Sequence, residues 1–228
     1  MSYISAIVLA AGKGERFKSR ISKPLFYINA KPLIIYSLAA LARNRSIREI
    51  IVVANRSNQK ELLRKIKQYR ISKVSKVVLG GLRRQDSVQN GLRQVSAHAD
   101  TVLIHDGARP FIDQKILDRV IKEALLSGAA IVGVPVKATI KQVTGRYVEK
   151  TLDRSRIWEV QTPQVFAIKL IKEAYRRFAR IAVTDDAMLV EKCGVRPRVV
   201  MGSYGNIKIT TPVDAVMAEA IAKKCKSA

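Results

Sequence analysis

Residues 7–25 read IVLAAGKGERFKSRISKPL, and the reading of this stretch decides the fold. An apolar run, Ala6 to Leu9, stops at Ala10-Ala11-Gly12, and Gly14 follows two residues later. A strand that ends in a glycine-rich turn presents backbone N–H groups to an anion, because small residues let phosphate oxygens reach the main chain. Six cations (Lys13, Arg16, Lys18, Arg20, Lys23, Lys31) stand in positions 13–31 against one acid, Glu15. The stretch reads as a cradle for a polyphosphate, the alternative being an ordinary tight turn with solvated cations.

Two familiar phosphate loops are excluded by their own spacing. Gly14-Glu15-Arg16 lacks the Gly-Lys-Ser/Thr of a P-loop, and Phe17 stands where the dinucleotide fingerprint needs a third glycine. What remains is Ala-Ala-Gly-x-Gly-x-Arg with Lys23-Pro24 seven residues after Arg16. This resembles the opening signature of nucleotidyltransferases that activate sugars and polyols with a nucleoside triphosphate.

Outward from the loop, strand and helix patterns alternate. Pro32-Leu33 opens a helix through Asn44; EIIVVA (49–54) is a β-branched run suited to a strand covered on both faces. A basic amphipathic helix is predicted at about 57–69, a strand at Lys76 to Leu79, and a helix near Asp86-Ser87 after the glycine turn at 80–81. TVLIH (101–105) is the next strand, ending in Asp106-Gly107-Ala108-Arg109-Pro110, followed by a helix at 114–127 and a strand at 129–136. The expected fold is α/β: a Rossmann-like, mostly parallel sheet flanked by helices in a single domain over 1–228. Ligands of such sheets sit at the carboxyl ends of the strands, where the glycine turns at 12–14, 80–81 and 107 all fall.

Residues 136–156 break the rhythm. They read as two short strands around Thr144-Gly145, a β-arm with no helix after it, whose Ile140, Val143 and Val148 must be buried on something. A partner subunit and the arm's own domain are both open. The chain then returns through TPQVF (162–166), a helix at 168–179, a cap at Thr184-Asp185-Asp186, a strand at 197–201, NIKIT (206–210) and a last helix from Thr211-Pro212.

Composition bounds the function. The chain has 228 residues, 48% of them apolar, which fits one α/β domain. Cys193 and Cys225 make no metal-like spacing or disulfide framework, and no apolar run is long enough to span a bilayer. The expectation is a cytoplasmic protein without membrane association. The net charge of +24 invites a nucleic-acid reading, and residues 43–76 alone hold eleven Lys/Arg against Glu49 and Glu61. Aromatic residues suited to base stacking are scarce there, Tyr69 being alone, so specific nucleic-acid binding is not expected.

Eight strings now stand in order: LAAGKGERF, Lys23-Pro24, GGxxRxDSV (80–88), HDxARP (105–110), TxDRxxxW (151–158), TPQ (162–164), TDD (184–186) and NIKIT (206–210). Together they resemble the 2-C-methyl-D-erythritol 4-phosphate cytidylyltransferases over nearly the whole chain. The resemblance implies joining a sugar-alcohol phosphate to CMP with release of pyrophosphate from CTP, in non-mevalonate isoprenoid biosynthesis. A phosphate oxygen is already an anionic nucleophile, so no general base is needed, in keeping with a chain whose only histidines are His98 and His105. Cations must instead bring two anions together and stabilise charge on the attacked phosphate.

The resemblance assigns catalytic roles to Arg16, Lys23, Arg154 and Lys208, and implies Mg²⁺ at Asp106 beside the triphosphate. Ala10, Ala11, Gly81 and Ser87 match positions that hold cytidine, with Gly12 and Gly14 in the phosphate loop. Arg109, Thr139, Arg154, Thr162 and Lys208 match those that grip the methylerythritol phosphate. Read as residues alone, Ser87 can equally be a helix N-cap, Asp106 can cap its turn with Arg109 as partner, His105 a packed strand residue and Lys208 a solvated strand residue. The family's arm crosses to a neighbouring subunit, which implies a homodimer. Two positions depart from the family: Ala138 stands where an Asp usually precedes the threonine, and Leu9 replaces a frequent Pro. The rival within enzymes is a ribitol-5-phosphate cytidylyltransferase; the rival of another class is a basic non-catalytic RNA-binding protein.

Overall fold

The computed structural model describes residues 2–12, 14, 17 and 22–224. β1 (Ile4–Ala10) leads into the glycine loop, and a small ribbon of β2 (Tyr27–Ile28) and β3 (Lys31–Pro32) leads to α1 (Leu33–Arg43). β4 (Ile47–Ala54), α2 (Gln59–Gln68), β5 (Val74–Leu79), α3 (Arg84–Leu92), β6 (Thr101–Asp106), α4 (Gln114–Ser127) and β7 (Ala129–Pro135) then alternate. The hairpin of β8 (Lys141–Thr144) and β9 (Tyr147–Thr151) interrupts them. β10 (Trp158–Ala167), α5 (Ile168–Phe178), α6 (Ala187–Glu191), β11 (Arg198–Met201) and α7 (Pro212–Lys224) complete the chain.

Seven strands form one sheet in the order β11-β7-β10-β6-β1-β4-β5. β1 lies between β4 and β6, parallel to both, and nearly every residue of it is buried, as its unbroken apolar run requires. Side chains alternate between two layers. Ile4, Ala6 and Val8 join α1, α2 and α4 on one face, while Ile7 joins α3, α5 and α6 on the other. A third cluster packs α7 through Ala215, Ala218 and Ala222 against Phe17, Ile28, Leu33 and Ile209. It thereby ties the chain around Lys208 to the loop that follows β1.

Two features go beyond the linear pattern. The returning segment is an interior strand, and β10 runs antiparallel to both β6 and β7. Its register shifts between Gln161 and Gln164, so Pro163, which has no N–H to give, sits where the ladder is already interrupted. NIKIT lies in irregular chain and not in a strand, so Lys208 is not a strand residue.

The hairpin does not fold back onto its own domain. Every residue of β8 and β9 is exposed, including Val143 and Val148. Gly145 at its tip has φ +61°, the left-handed conformation that favours glycine in a tight turn.

Candidate active site

The register of the sheet aligns the strand ends. Ala10 pairs with Ala54, Ala54 with Leu79, and Leu9 with Asp106, so four connecting loops leave from one rim. Each ladder runs one step past the strands: Gly80 N–H donates to the Ala54 carbonyl at 2.8 Å, and Gly107 N–H to the Leu9 carbonyl at 2.9 Å. Gly80 packs so closely that a Cβ there would come within 2.6 Å of both Ala11 Cβ and Ser87 Oγ. The first loop and the start of α3 are therefore in contact.

Two asparagines at the end of β4 hold the first loop. Asn58 Nδ2 donates to the Ala10 carbonyl and to Ser22 Oγ, both at 3.0 Å, and Asn55 Nδ2 donates to the Ala11 carbonyl at 3.3 Å. Each also accepts the other's backbone N–H in its side-chain oxygen. Gly14, at φ +69°, places its α-carbon so that an added Cβ would lie 3.2 Å from Lys23 Cβ. The glycine turn and the Lys23-Pro24 segment thus meet. Arg16, with Lys13, Lys18 and Arg20, lies outside the described residues.

Ser87 is not an N-cap. It lies inside α3, whose N-terminus is capped by Asp86 accepting the Arg83 N–H at 3.0 Å. The buried Ser87 hydroxyl accepts from Gly81 N–H at 3.1 Å and donates to the Arg83 carbonyl at 3.2 Å, which fixes the Gly80-Gly81 turn.

Beside this loop pair lies a buried ionic cluster around Asp106. Lys208 Nζ stands 2.6 Å from Asp106 Oδ2, and Arg84 Nε 3.5 Å from Oδ1. Arg84 also bridges to Asp186 Oδ2 at 2.7 Å, and Tyr175 donates its hydroxyl to Asp186 Oδ1 at 2.6 Å. Burial alone would raise the Asp106 pKa, but Arg84 and Lys208, with Arg109, outweigh it and hold the carboxyl well below the usual range. Asp106 is therefore ionised. Burial opposes the charge on Arg84 too, and its two carboxylate partners more than compensate. Asp185 caps α6 through Met188 N–H at 3.0 Å, leaving Asp186 for Arg84.

A second chain of hydrogen bonds runs beneath Asp106. Its backbone N–H donates to Thr162 Oγ1 at 3.0 Å; Thr162 Oγ1 lies 3.1 Å from His105 Nδ1, and His105 Nε2 lies 3.0 Å from the Arg109 carbonyl. A backbone N–H can only donate and a carbonyl can only accept, so both ends fix the polarity. Nε2 carries the imidazole proton, and Thr162 gives its own proton to Nδ1. Burial pushes the His105 pKa down to about 4, which keeps the ring neutral. His105 is thus a packed strand residue with a definite task, holding the Asp106–Arg109 turn to β10.

Arg109 is buried, with Nη1 donating to the Asn206 carbonyl at 2.8 Å. Its backbone N–H donates to the Asp106 carbonyl at 2.9 Å, while its Nε and Asn206 Oδ1 are buried polar atoms without a partner. Arg109 is therefore not the side-chain partner of an Asp106 cap. Thr139 and Arg154 stand apart: both are exposed, and Arg154 Nη1 donates to the Lys137 carbonyl at 2.8 Å at the base of the arm.

For a divalent cation the donor set is sparse. Among the described residues no three His, Cys, Asp or Glu side chains gather as a metal-binding group. Mg²⁺ keeps several waters and takes phosphate oxygens of its substrate, so one ionised carboxylate can anchor it; Asp106 is such a carboxylate, and an ion there would share its two oxygens with Lys208 and Arg84.

The comparisons cover nearly the whole chain. The family model described as IspD, 2-C-methyl-D-erythritol 4-phosphate cytidylyltransferase, matches residues 4–224. The chain belongs to this family. Its relative from Syntrophus aciditrophicus, named 2-C-methyl-D-erythritol 4-phosphate cytidylyltransferase, is 45% identical over 225 residues, covering 97% of this chain and 96% of that one. One of the same name from Dictyoglomus thermophilum is 44% identical and covers 98% of each chain. The crystal structure of 4-diphosphocytidyl-2C-methyl-D-erythritol synthase from Anaerococcus prevotii superimposes with a TM-score of 0.86 at 31% identity, covering 97% of this chain and 96% of that one. The cytidylyltransferase of Thermus thermophilus gives 0.80 at 30% identity, covering 98% of this chain and all of that one.

Within this member of the family, the eight sequence strings left several residues of the site unread. Arg84 and Asp186 were visible only as letters of GGxxRxDSV and TDD, and nothing in their spacing pairs them. Asn55 and Asn58 carried a usable signal, two asparagines between the end of a strand and the start of a helix.

Proposed function

We infer that this chain is the cytidylyltransferase that joins CTP to 2-C-methyl-D-erythritol 4-phosphate, forming 4-diphosphocytidyl-2-C-methyl-D-erythritol and pyrophosphate. The carrying observation is similarity along the whole chain to proteins named for this reaction. The fully buried His105 is committed to Thr162 and Arg109, and an anionic phosphate nucleophile does not require a general base. Neither ribitol phosphate nor non-catalytic RNA binding is favoured by these relatives.

In this reading Ala10, Ala11, Gly81 and Ser87 hold cytidine, and Gly12 and Gly14 lie along the triphosphate. Arg16 and Lys23 stabilise charge growing on the α-phosphate, the first as a planar fork and the second as a point charge. Asp106 would hold Mg²⁺ together with the triphosphate; when bound, the ion neutralises phosphate charge. Lys208 reaches Asp106 from the acceptor side, so it borders both substrates. With Arg109 and Thr162 beneath it, it supports the end of the pocket taken by the methylerythritol phosphate.

Arg154 and Thr139 complete that end from a partner's arm in a homodimer. The support is that the arm's Val143, Tyr147 and Val148 lie uncovered in the single chain, far from any packing that would retain them. The test is pyrophosphate release from CTP with Mg²⁺ and each acceptor in turn. Release with methylerythritol phosphate, abolished by EDTA, is expected; release with ribitol phosphate alone overturns the reading.

A further inference from the structure

The opposite end of the sheet carries a second concentration of positive charge. A cleft of about 610 Å³ opens where β1, β4 and β5 begin, lined by Arg45, Arg48 and Lys73 together with Ser2, Ser46 and Leu125. Its volume falls among those of small-molecule pockets. β4 separates it from the catalytic rim at Ala54 by seven residue steps, roughly 23 Å at the rise of a strand.

The cations are held together against their mutual repulsion. Lys73 Nζ is anchored by the Asn44 carbonyl at 2.6 Å, and burial, then the charge of Arg48, lowers its pKa. An anion in the cleft would offset the repulsion between Arg48 and Lys73.

The carboxylates around the cleft are engaged by neutral donors. Glu49 is buried and accepts from Ser5, Ser75 and the Ser96 N–H; Asp100 accepts from Ser2 and the Tyr3 N–H; Asp118 accepts from Asn44 Nδ2 at 2.8 Å. Among the described residues no aromatic side chain lines the wall, so none of them would stack a nucleic-acid base. Arg45 and Arg48 are exposed along the cleft and Lys73 is half-buried in it, and guanidinium and ammonium groups on one wall suit an anion with several phosphate oxygens.

We propose that this cleft binds a compact polyphosphate of the diphosphate class, at the end of the sheet opposite the catalytic centre. The proposal does not rest on the cytidylyl-transfer reading. Inorganic pyrophosphate, without metal, is titrated into the ¹⁵N-labelled full chain at constant ionic strength, and backbone amides are followed by NMR. Saturable shifts are expected at Ser46, Arg48 and Lys73, separate from those at Gly12 and Gly81. Arg45→Glu, and separately the pair Arg45→Ser with Arg48→Ser, should weaken the first set at least tenfold. Turnover and the Gly12 and Gly81 shifts should stay within twofold of the parent. No saturable shift at residues 46, 48 and 73, shifts that survive both variants, or an equal response to chloride at matched ionic strength would each overturn the proposal.

Discussion

The Asp106 cluster and the β-arm, the two parts of the proposed active site, are built on opposite principles. Around Asp106 the carboxylates are buried and cross-braced: Arg84 lies between two of them, and Asp186 also receives the Tyr175 hydroxyl. Arg154 on the arm is exposed, and its described partner is the backbone carbonyl of Lys137. One half of the site is preorganised by the chain's own packing. The other half, in the proposed dimer, would gain its geometry from the subunit it docks against, since every residue of β8 and β9 is exposed in the single chain. Preorganised charge stabilises a transition state without reorganising at the moment of reaction, so the two halves should fail differently when damaged.

The largest effect is expected from Asp186→Ala. It leaves Tyr175 without its acceptor and Arg84 with Asp106 as its remaining carboxylate, which should cost about 3–5 kcal/mol of stability. Urea unfolding checks this, and a loss below about 1 kcal/mol, the size of an exposed pair, would erase the contrast with the arm.

The next effect is set by pH. His105 is neutral in the fold with a pKa near 4, against an ordinary value of 6.5. The unfolded chain therefore binds more protons between these values, so stability is full above about pH 6.5 and falls as pH drops toward 4. The expected loss is about 3 kcal/mol. His105→Asn keeps an acceptor and a donor without titrating, and should flatten this part of the curve; an unchanged pH dependence would show that His105 does not control it.

Catalysis divides the halves again. Lys23→Ala should lower kcat about a hundredfold, roughly 3 kcal/mol, with a smaller change in KM for CTP, because the charge it meets grows in the transition state. Mixing Lys23→Ala with Arg154→Ala subunits should restore activity at one of the two sites of a heterodimer. No recovery despite proven subunit exchange would remove the arm from the partner's site.

The smallest effect on stability belongs to the arm. Val143→Ser with Val148→Ser should change monomer unfolding by less than about 0.5 kcal/mol, since both side chains are already exposed. Sedimentation velocity should nevertheless show a weakened dimer. Unchanged association would mean that the arm's apolar face is not the contact.

Much of this was legible in the residues themselves. The apolar runs at 6–9 in β1, 50–54 in β4 and 102–104 in β6 announce strands covered on both faces, and the glycines at 12 and 14, at 80 and 81, and at 107 mark where β1, β5 and β6 end. Both are local signals, because burial on two faces and close backbone approach each restrict the residue type on the spot. The arm was legible for the same reason: a strand pair around Thr144-Gly145 has no helix to hide behind.

Pairings between distant segments were not legible. The antiparallel insertion of β10 between β6 and β7 brings Thr162 to His105 across 57 residues, and the packing of α3 near α6 brings Arg84 to Asp186 across 102. A buried charge is tolerated only where its partner arrives, and the sequence names the charge without naming the arrival. Residue type and spacing by themselves determined the α/β alternation and the glycine turns at the strand ends, and the family showed only as a resemblance carried by eight short strings. Which cation meets which carboxylate, and which way each proton points, was decided by tertiary structure, because those contacts exist only once the sheet has ordered its strands.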